Sequence, residues 1–419
     1  MSRHISLRGL ATVAVLVAVA NSCSPYSNEV LNPRTSPGGI FDHYVAIGNS
    51  ITAGYQSGGM IDSAQRRAYP FLLAQSMGTR YQYASFTNRG CPPLIQSFLT
   101  QARPAGTTAA TCDLRGNSTD ILNNVAVPGA WSGDPTAASS ANSTALTTFI
   151  LGGKTQVARA LQAEPTFVSV WIGNNDVLGP AVSSPGLSTT AALAAITGQT
   201  AFNANIDAIV DPLKAAGAKG VIIGVVNVAN APILFRGSAF VGTGNIKAAF
   251  DAIACGAGTQ STTCAGTATT LDPGCTANST ELINAFLAFA IRTNQHPAYV
   301  ACNKSNPFAA QGVGDAFVLD NTEQATVTAA VNGYNAYLSS KATAAGWAYV
   351  DPNVTLAALK TTGTLVRPVP LFTSATAPFG TGMSLDGVHP GYLVHAEIAN
   401  AIIAAVNTKY STALTAIVP

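Results

Sequence analysis

Ser50 stands in a tight, glycine-containing turn that directly follows an apolar run at residues 44–47. Near the other end of the chain, His389 lies three residues after Asp386. A serine hydroxyl becomes a nucleophile when an imidazole accepts its proton and a carboxylate orients that imidazole. These residue types therefore make nucleophilic attack on a carbonyl carbon the first chemistry to consider.

Two further positions could donate hydrogen bonds to the oxygen that becomes negatively charged in such an attack. Gly129 follows an apolar run at residues 124–127, and Asn175 follows another at residues 167–172. Each has a plainer interpretation by itself, because glycines are common in turns and asparagines in Asx turns or helix caps. Taken together and in this order, the segments supply a nucleophile, a base, an orienting acid and oxyanion donors.

Strands and helices must bring these distant segments together. Short apolar runs recur along the chain, and each is nearly continuous, as expected for strands covered on both faces. The runs occupy residues 44–47, 124–127, 167–172, 221–228 and 347–350. In an open parallel sheet, ligands bind at the carboxyl ends of the strands, which is where the candidate residues stand.

Helical patterns lie between the apolar runs. One helix is predicted to begin at Asn321 with Gln324 in the capping-box position, and the last helix is predicted to follow Pro390. Strands that alternate with helices predict an α/β fold, a three-layer α/β/α sandwich with a central parallel sheet.

The four segments resemble the sequence blocks of the SGNH hydrolases, a branch of the GDSL-like esterases and lipases. The family's defining Ser, Gly, Asn and His correspond here to Ser50, Gly129, Asn175 and His389. The resemblance implies a flavodoxin-like sheet and a serine esterase or lipase that uses neither a metal nor a cofactor. One residue departs from the family pattern, because Asn49 stands where an aspartate usually precedes the nucleophile.

The resemblance also assigns roles to these residues. Ser50 would attack the ester carbonyl, His389 would act as the base, and Asp386 would orient the imidazole. The N–H groups of Ser50 and Gly129 and the side chain of Asn175 would form the oxyanion hole. The substrate would be a small-molecule or lipid ester.

Two other function classes remain open from the sequence. A carbohydrate acetylesterase would use the same residues, and a non-catalytic surface lipoprotein could bind glycans or lipids on a degenerate hydrolase fold. A lipase of the α/β-hydrolase type is disfavoured, because its G-x-S-x-G motif requires glycine where Thr52 stands.

Composition narrows the classes of partner. The 419 residues are 47% apolar and only 10% charged, as in a folded protein with a large core. The formal net charge of +2 and the lack of a Lys/Arg cluster argue against a nucleic-acid partner.

The N-terminus predicts export. Basic residues precede an apolar run at residues 10–20, which is too short to span a bilayer but fits a signal peptide over residues 1–22. Cys23 then has two interpretations, as the lipidated cysteine of a lipobox that anchors the chain to a membrane, or as the residue after plain cleavage. The first predicts an outer-membrane or cell-surface lipoprotein, and the second a periplasmic or secreted protein.

The expected domain limits follow from composition. Residues 23–40 form a flexible tether, residues 41–410 the hydrolase domain and residues 411–419 a C-terminal tail. Two insertions at about 89–116 and 231–317 interrupt the alternation of strands and helices.

The insertions contain all the cysteines other than Cys23. Their even number predicts three disulfides in an exported protein, and the absence of C-x-x-C spacing disfavours zinc. The cysteines are Cys91, Cys112, Cys255, Cys264, Cys275 and Cys302. Aromatic residues of the second insertion, including Phe235 and Phe240, either line the substrate site as part of a lid or pack into a satellite core.

Overall fold

The computed structural model describes residues 39–86, 89–113, 121–138, 140, 142–182, 192–302 and 317–419. Its strands are β1 (Tyr44–Gly48), β2 (Phe167–Trp171), β3 (Lys219–Ile223), β4 (Leu234–Arg236), β5 (Thr270–Leu271), β6 (Leu282–Asn284), β7 (Tyr299–Val300), β8 (Val318–Leu319) and β9 (Ala348–Val350). Its α-helices are α1 (Ser50–Ala53), α2 (Asp62–Gln65), α3 (Tyr69–Met77), α4 (Ala145–Leu151), α5 (Gln156–Gln162), α6 (Asn175–Ala181), α7 (Gln199–Ala215), α8 (Lys247–Ala254), α9 (Leu287–Arg292), α10 (Asn321–Ala345), α11 (Pro352–Thr362) and α12 (Tyr392–Tyr410). Short 3-10 turns lie at Asp134–Thr136, Val228–Asn230 and Gly237–Phe240.

The central sheet pairs four strands, all parallel, in the order β1, β2, β3, β9. Every residue of β1 and β2 is buried, in agreement with the continuous apolar runs from which these strands were predicted. The run at residues 124–127 lies beside β1, where the N–H groups of Val125 and Val127 donate to the carbonyls of Ala46 and Gly48 at 3.0 and 3.1 Å. Counted with this segment, the sheet has the strand order of flavodoxin-like folds.

Helices cover the sheet in two layers. Helix α7 packs against both α5 and α10, and α10 contacts β3 and β9. Helix α12 packs against α3, α11 and β9. Phe202 of α7 stacks on Tyr334 of α10 with their ring centroids 3.8 Å apart. The predicted α/β/α sandwich with a central parallel sheet is confirmed.

Two helix predictions near the C-terminus can be compared with the structure. The last helix follows Pro390 as predicted. Helix α10 begins at Asn321, but its capping box lies one residue earlier than predicted. The Asp320 carboxylate accepts a hydrogen bond from the N–H of Glu323, and the Glu323 carboxylate accepts one from the N–H of Asp320. Asp320 has the extended backbone of an N-cap residue, with φ −74° and ψ 174°, whereas Asn321 is already the first residue of the helix.

Disulfides close loops in both inserted segments. Cys91 pairs with Cys112 in the first, and Cys255 with Cys264 and Cys275 with Cys302 in the second. The prediction of three disulfides is confirmed, and the structure provides the connectivity that the sequence left open. The second segment also contributes β4 and β6 to an antiparallel sheet that β8 completes just after the segment, and β5 pairs in parallel with β7.

The N-terminal predictions fall on residues outside this description. Residues 1–38, which include the expected signal peptide, Cys23 and most of the expected tether, are not among the described residues. Within the part that is described, no helix combines the length and the apolar character needed to cross a membrane.

Candidate active site

Ser50 lies at the carboxyl end of β1, as the first residue of the short helix α1. Asn49 caps this helix, because its Oδ1 accepts a hydrogen bond from the N–H of Ile51 at 3.1 Å. Asparagine and aspartate are about equally good at this position, so the helix start tolerates the departure from the family pattern. The strand, turn and helix together hold the Ser50 side chain at the edge of the sheet.

His389 and Asp386 lie in a loop directly before α12. The N–H of Ser384 donates to the carbonyl of His389 at 3.0 Å, which closes the loop. Gly387 adopts a φ of 68°, a backbone conformation that favours glycine. The loop therefore presents the imidazole and the carboxylate on a fixed backbone.

The three side chains form one hydrogen-bonded chain. The hydroxyl of Ser50 lies 2.8 Å from Nε2 of His389, and Nδ1 of the same ring lies 2.9 Å from Oδ2 of Asp386. An ionised carboxylate only accepts hydrogen bonds, so Nδ1 carries the proton and donates it to Asp386. Nε2 is then free to accept the hydroxyl proton of Ser50.

Asp386 is held in its ionised form by its surroundings. Burial alone would raise the pKa of this carboxyl, but the charge of His389 and the hydrogen bonds from His389 and Ser384 outweigh it and lower the pKa well below the usual value. Oδ1 accepts from Ser384 Oγ at 2.7 Å and from the backbone N–H groups of His389 and Val388 at 2.9 and 3.0 Å. The carboxylate is thereby fixed in position as well as in charge.

His395 lies one turn into α12, yet it is unsuited to be the base. Burial and, secondly, the charge of His389 lower the pKa of His395 to about 3. Its Nδ1 accepts a hydrogen bond from the N–H of Tyr69 at 3.2 Å. His395 is therefore a neutral side chain within the packing of α3 against α12.

The predicted oxyanion donors lie on neighbouring loops. Asn175 begins α6 after β2, and its Nδ2 donates to the carbonyl of Ala130, the residue after Gly129, at 2.9 Å. Gly129 adopts a φ of 85° and has open space where a Cβ would lie. The N–H of Ser50 lies at the first position of α1, where a helix provides no internal partner for it.

Asp176 fastens these two loops to each other. Its Oδ2 accepts from the N–H of Ser132 at 2.8 Å, and its Oδ1 accepts from the Ser132 hydroxyl at 2.5 Å. Burial raises the pKa of Asp176, and the hydrogen bonds from Ser132 oppose that effect. The Gly129 loop therefore has a defined position relative to Asn175.

A cavity of about 410 Å³ opens beside Ser50. Its walls come from the carboxyl ends of β1 and β2, from α11 and α12, and from the turn at residues 228–232. Ser50, Asn175 and His389 contribute to these walls, and Gly129 does not. Most of the other residues around the cavity are apolar: Ile51, Trp171, Leu178, Val226, Val228, Ala231, Pro232, Leu356, Ala357, Val366, Pro368, Met383, Val388, Pro390 and Ile398.

Phe235 and Phe240 do not contribute to this cavity, which corrects the expectation that they line the site. They are 1% and 2% exposed, and their ring centroids lie 5.6 Å apart. Phe250 and Phe372 complete the cluster, with centroid distances of 5.0 Å from Phe240 and 5.8 Å from Phe235. The two rings instead pack into an aromatic core, which was the alternative prediction. Aromatic rings bury more area against one another than at a wall that is open to solvent.

The sequence interpretation missed the residues of α11 that face the cavity. Leu356 and Lys360 stand one helical turn apart, and both contribute to its wall. A four-residue spacing on a helix places two residues on the same face, but it does not predict which part of the protein that face contacts. Ser384, two residues before Asp386, was also overlooked.

Among the described residues, no group of three or more His, Cys, Asp or Glu side chains is close enough together to hold a metal ion.

Comparisons with known proteins place the chain among ester hydrolases. No match was found among curated protein sequences. Similar solved structures include an acetylxylan esterase variant from Geobacillus stearothermophilus, at 11% identity and a TM-score of 0.37, with 87% of this chain and 93% of that chain covered. They also include a phospholipase A1 from Streptomyces albidoflavus, at 15% identity and a TM-score of 0.37, with 87% and 98% covered. The sequence profile described as GDSL-like lipase/acylhydrolase matches residues 44–402, a span that includes both Ser50 and His389.

Proposed function

Because the chain belongs to the GDSL-like lipase/acylhydrolase family and is a carboxylic ester hydrolase, we propose that Ser50, His389 and Asp386 are its catalytic triad. The observation that carries this proposal is the continuous hydrogen-bonded chain from the Ser50 hydroxyl through both ring nitrogens of His389 to Asp386. Family membership also favours an enzyme over a non-catalytic binding protein. Replacing Ser50 by alanine, as described in the Discussion, is the experiment that tests the proposal.

The first half of the reaction forms an acyl-enzyme. The Ser50 oxygen attacks the ester carbonyl carbon while Nε2 of His389 takes the hydroxyl proton. Asp386 stabilises the resulting imidazolium. When the tetrahedral intermediate collapses, the bond to the alcohol oxygen breaks and the imidazolium returns its proton to the leaving alcohol.

The second half releases the acid. Water attacks the acyl-enzyme carbonyl while His389 accepts a proton from it, and the Ser50 oxygen leaves with that proton. In both halves the carbonyl oxygen becomes negatively charged. The N–H groups of Ser50 and Gly129 and the Nδ2 of Asn175 are proposed to stabilise that charge, and they carry out the electrophilic work by hydrogen bonding.

We expect Asn175→Ala to lower kcat by about 10²- to 10³-fold with a smaller effect on KM, because one oxyanion donor is lost. Nδ2 has two hydrogens and only one is used by the carbonyl of Ala130, so the second is available to the substrate. Steady-state kinetics with para-nitrophenyl butyrate measures both constants.

Asn203→Ala is the matched control, because Asn203 bonds to Gln199 on the surface of α7, away from the cavity. The control should retain the parent kcat. If Asn175→Ala changed KM alone, Asn175 would bind the substrate without stabilising the oxyanion.

The cavity beside Ser50 supports a substrate with an apolar acyl chain. Each buried CH₂ contributes about 0.8 kcal/mol, so kcat/KM should rise roughly fourfold per added carbon until the cavity is filled. We therefore propose that the substrates of this enzyme are esters with acyl chains of medium length. The alternative, a carbohydrate acetylesterase, would need a small acyl pocket.

We expect para-nitrophenyl octanoate to be cleaved at least about tenfold more efficiently than the acetate. Leu356→Trp should remove that preference, because Leu356 contributes to the cavity wall and a larger ring would occupy the space. Val354→Trp is the matched control, since Val354 lies on the same helix and is 71% exposed. A preference for acetate in the parent and in both variants would favour the acetylesterase instead.

We also infer that the enzyme is exported. The three disulfides support an oxidising compartment. Residues 1–22 are proposed as the signal peptide, Cys23 as the lipidated residue that anchors the chain, residues 23–40 as the tether and residues 41–410 as the hydrolase domain.

A further inference from the structure

Among the described residues that form the cavity wall, Lys360 is the only lysine or arginine. It lies in the last turn of α11 and is half-buried. One N–H of its ammonium group donates to the carbonyl of Asn230 at 3.0 Å. The other two N–H groups have no partner among the described residues, so they are available to a ligand.

No acidic side chain balances this charge. The described residues around the cavity contain no aspartate or glutamate, and His389 is the only other ionisable group among them. Arg236, at the end of β4, lies near enough for its charge to act on Lys360, and neither cation has a carboxylate partner in the described part of the chain. The described wall of the cavity therefore has a positive charge without a carboxylate to balance it.

We propose that the ester substrate carries an anionic group, a carboxylate or a phosphate, which binds at Lys360 while the ester carbonyl lies at Ser50. This inference rests on the proposed function, and it specifies the substrate class of the same site. An anion would accept from the two free N–H groups of the ammonium and would provide the charge that the wall lacks. Arg236 would add long-range attraction from outside the cavity.

The electrostatic setting agrees with this assignment. Burial and, secondly, the charge of Arg236 lower the pKa of Lys360. Both causes disfavour the charged ammonium form of Lys360, and a bound anion would favour it. Lys360 thus gains more from an anionic ligand than a fully hydrated lysine would, because less water competes for it.

A purely structural role for Lys360 predicts something different. The bond to Asn230 ties α11 to the turn at Val228–Asn230, and a cation in the last turn of a helix is favourable by itself. If that were its whole role, replacement would change the turnover of charged and neutral esters alike. The ratio between matched substrates therefore separates the two roles.

The experiment uses two matched pairs of substrates on the full enzyme. In the first pair, mono-para-nitrophenyl adipate carries a carboxylate at the end of its acyl chain, and para-nitrophenyl heptanoate is the neutral partner. In the second pair, monodecanoyl glycerol phosphate carries its anion on the alcohol, and monodecanoyl glycerol is neutral. We expect the parent to prefer the anionic member of at least one pair, and Lys360→Met to lower that ratio of kcat/KM about tenfold or more.

Two further variants complete the test. Lys360→Arg keeps the charge and should restore most of the preference. Lys214→Met is the matched control, because Lys214 also donates to a backbone carbonyl, that of Ala344 at 2.9 Å, and does not contribute to the cavity. Loss of preference in the adipate pair alone would place the anion on the acyl chain, and loss in the phosphate pair alone would place it on the alcohol; either result supports the proposal.

The proposal is overturned if Lys360→Met changes both members of each pair equally, or if the parent prefers the neutral member of both pairs. These results differ from a failure of the proposed function. That failure would show as turnover that survives Ser50→Ala, whatever the charge of the substrate.

Discussion

Ser50→Ala is expected to lower kcat by roughly 10⁴- to 10⁶-fold while leaving the fold and the free energy of unfolding nearly unchanged. The loss is large because no other hydroxyl in the described structure lies in hydrogen-bond contact with Nε2 of His389. The stability effect is small because the serine side chain is short and its oxygen bonds only to that ring. Kinetics with a para-nitrophenyl ester and thermal unfolding measure the two quantities.

Ser76→Ala provides the control for this variant. Ser76 donates from its hydroxyl to the carbonyl of Thr415 at 2.6 Å on the surface, so its loss also removes one hydrogen bond. The control should keep the parent kcat. Retention of more than a few per cent of kcat in Ser50→Ala, in a preparation free of other esterases, would show that Ser50 is not the nucleophile.

Asp386→Asn is expected to lower kcat by about 10⁴-fold, as happens when the orienting acid of a triad becomes an amide. Three donors hold Oδ1 of Asp386, so an asparagine there would keep its oxygen on that side and turn its NH₂ towards His389. Nδ1 would then have to accept, and the proton would move to Nε2. An imidazole protonated at Nε2 cannot take the proton of Ser50.

Ser384→Ala separates this effect from a general loosening of the loop. It removes the 2.7 Å bond from Ser384 to Oδ1 but leaves the carboxylate facing His389. We expect a loss in kcat of less than about tenfold, in line with one hydrogen bond. Both variants are compared at the same folded fraction. If Asp386→Asn lowered kcat no more than Ser384→Ala does, the carboxylate would not determine the tautomer of His389.

The layered architecture could be predicted from the sequence because it depends on local patterns. The buried strands β1 and β2 come from nearly continuous apolar runs, and such runs occur where helices cover both faces of a parallel sheet. The run at residues 124–127 satisfies the same pattern, but it pairs with β1 through an isolated bridge at Asn124 and a few backbone hydrogen bonds and does not form a full strand. Local patterns predict the apolar run, but they do not predict how many of its residues pair with the neighbouring strand.

The proposed triad could not be predicted from local patterns alone. Ser50 and His389 are 339 positions apart, and no periodicity or spacing in the chain indicates that their side chains meet. The resemblance to a family brought them together in the sequence interpretation. The short spacing between Asp386 and His389 could be interpreted directly, because three residues in a tight loop place both groups within reach of each other.

The cavity wall was beyond prediction from the sequence. Phe235 and Phe240 are apolar and lie in an inserted segment, which suits a lid as well as it suits a core. Whether these residues form a lid or a core depends on contacts with residues that are distant in the sequence, such as Phe372. Lys360 was overlooked because a lysine near a helix end is usually exposed to solvent, and the sequence does not show that this helix lies beside the cavity.

Covalent labelling with a fluorophosphonate tests the central claim most directly. Such a reagent phosphonylates a serine only where a base has activated it, and mass spectrometry of the digested protein identifies the residue. We predict one equivalent of label, on the peptide that contains Ser50, with loss of esterase activity in proportion and no labelling of His389→Ala under the same conditions. Loss of activity with the label on another residue, or full activity with Ser50 labelled, would contradict the account.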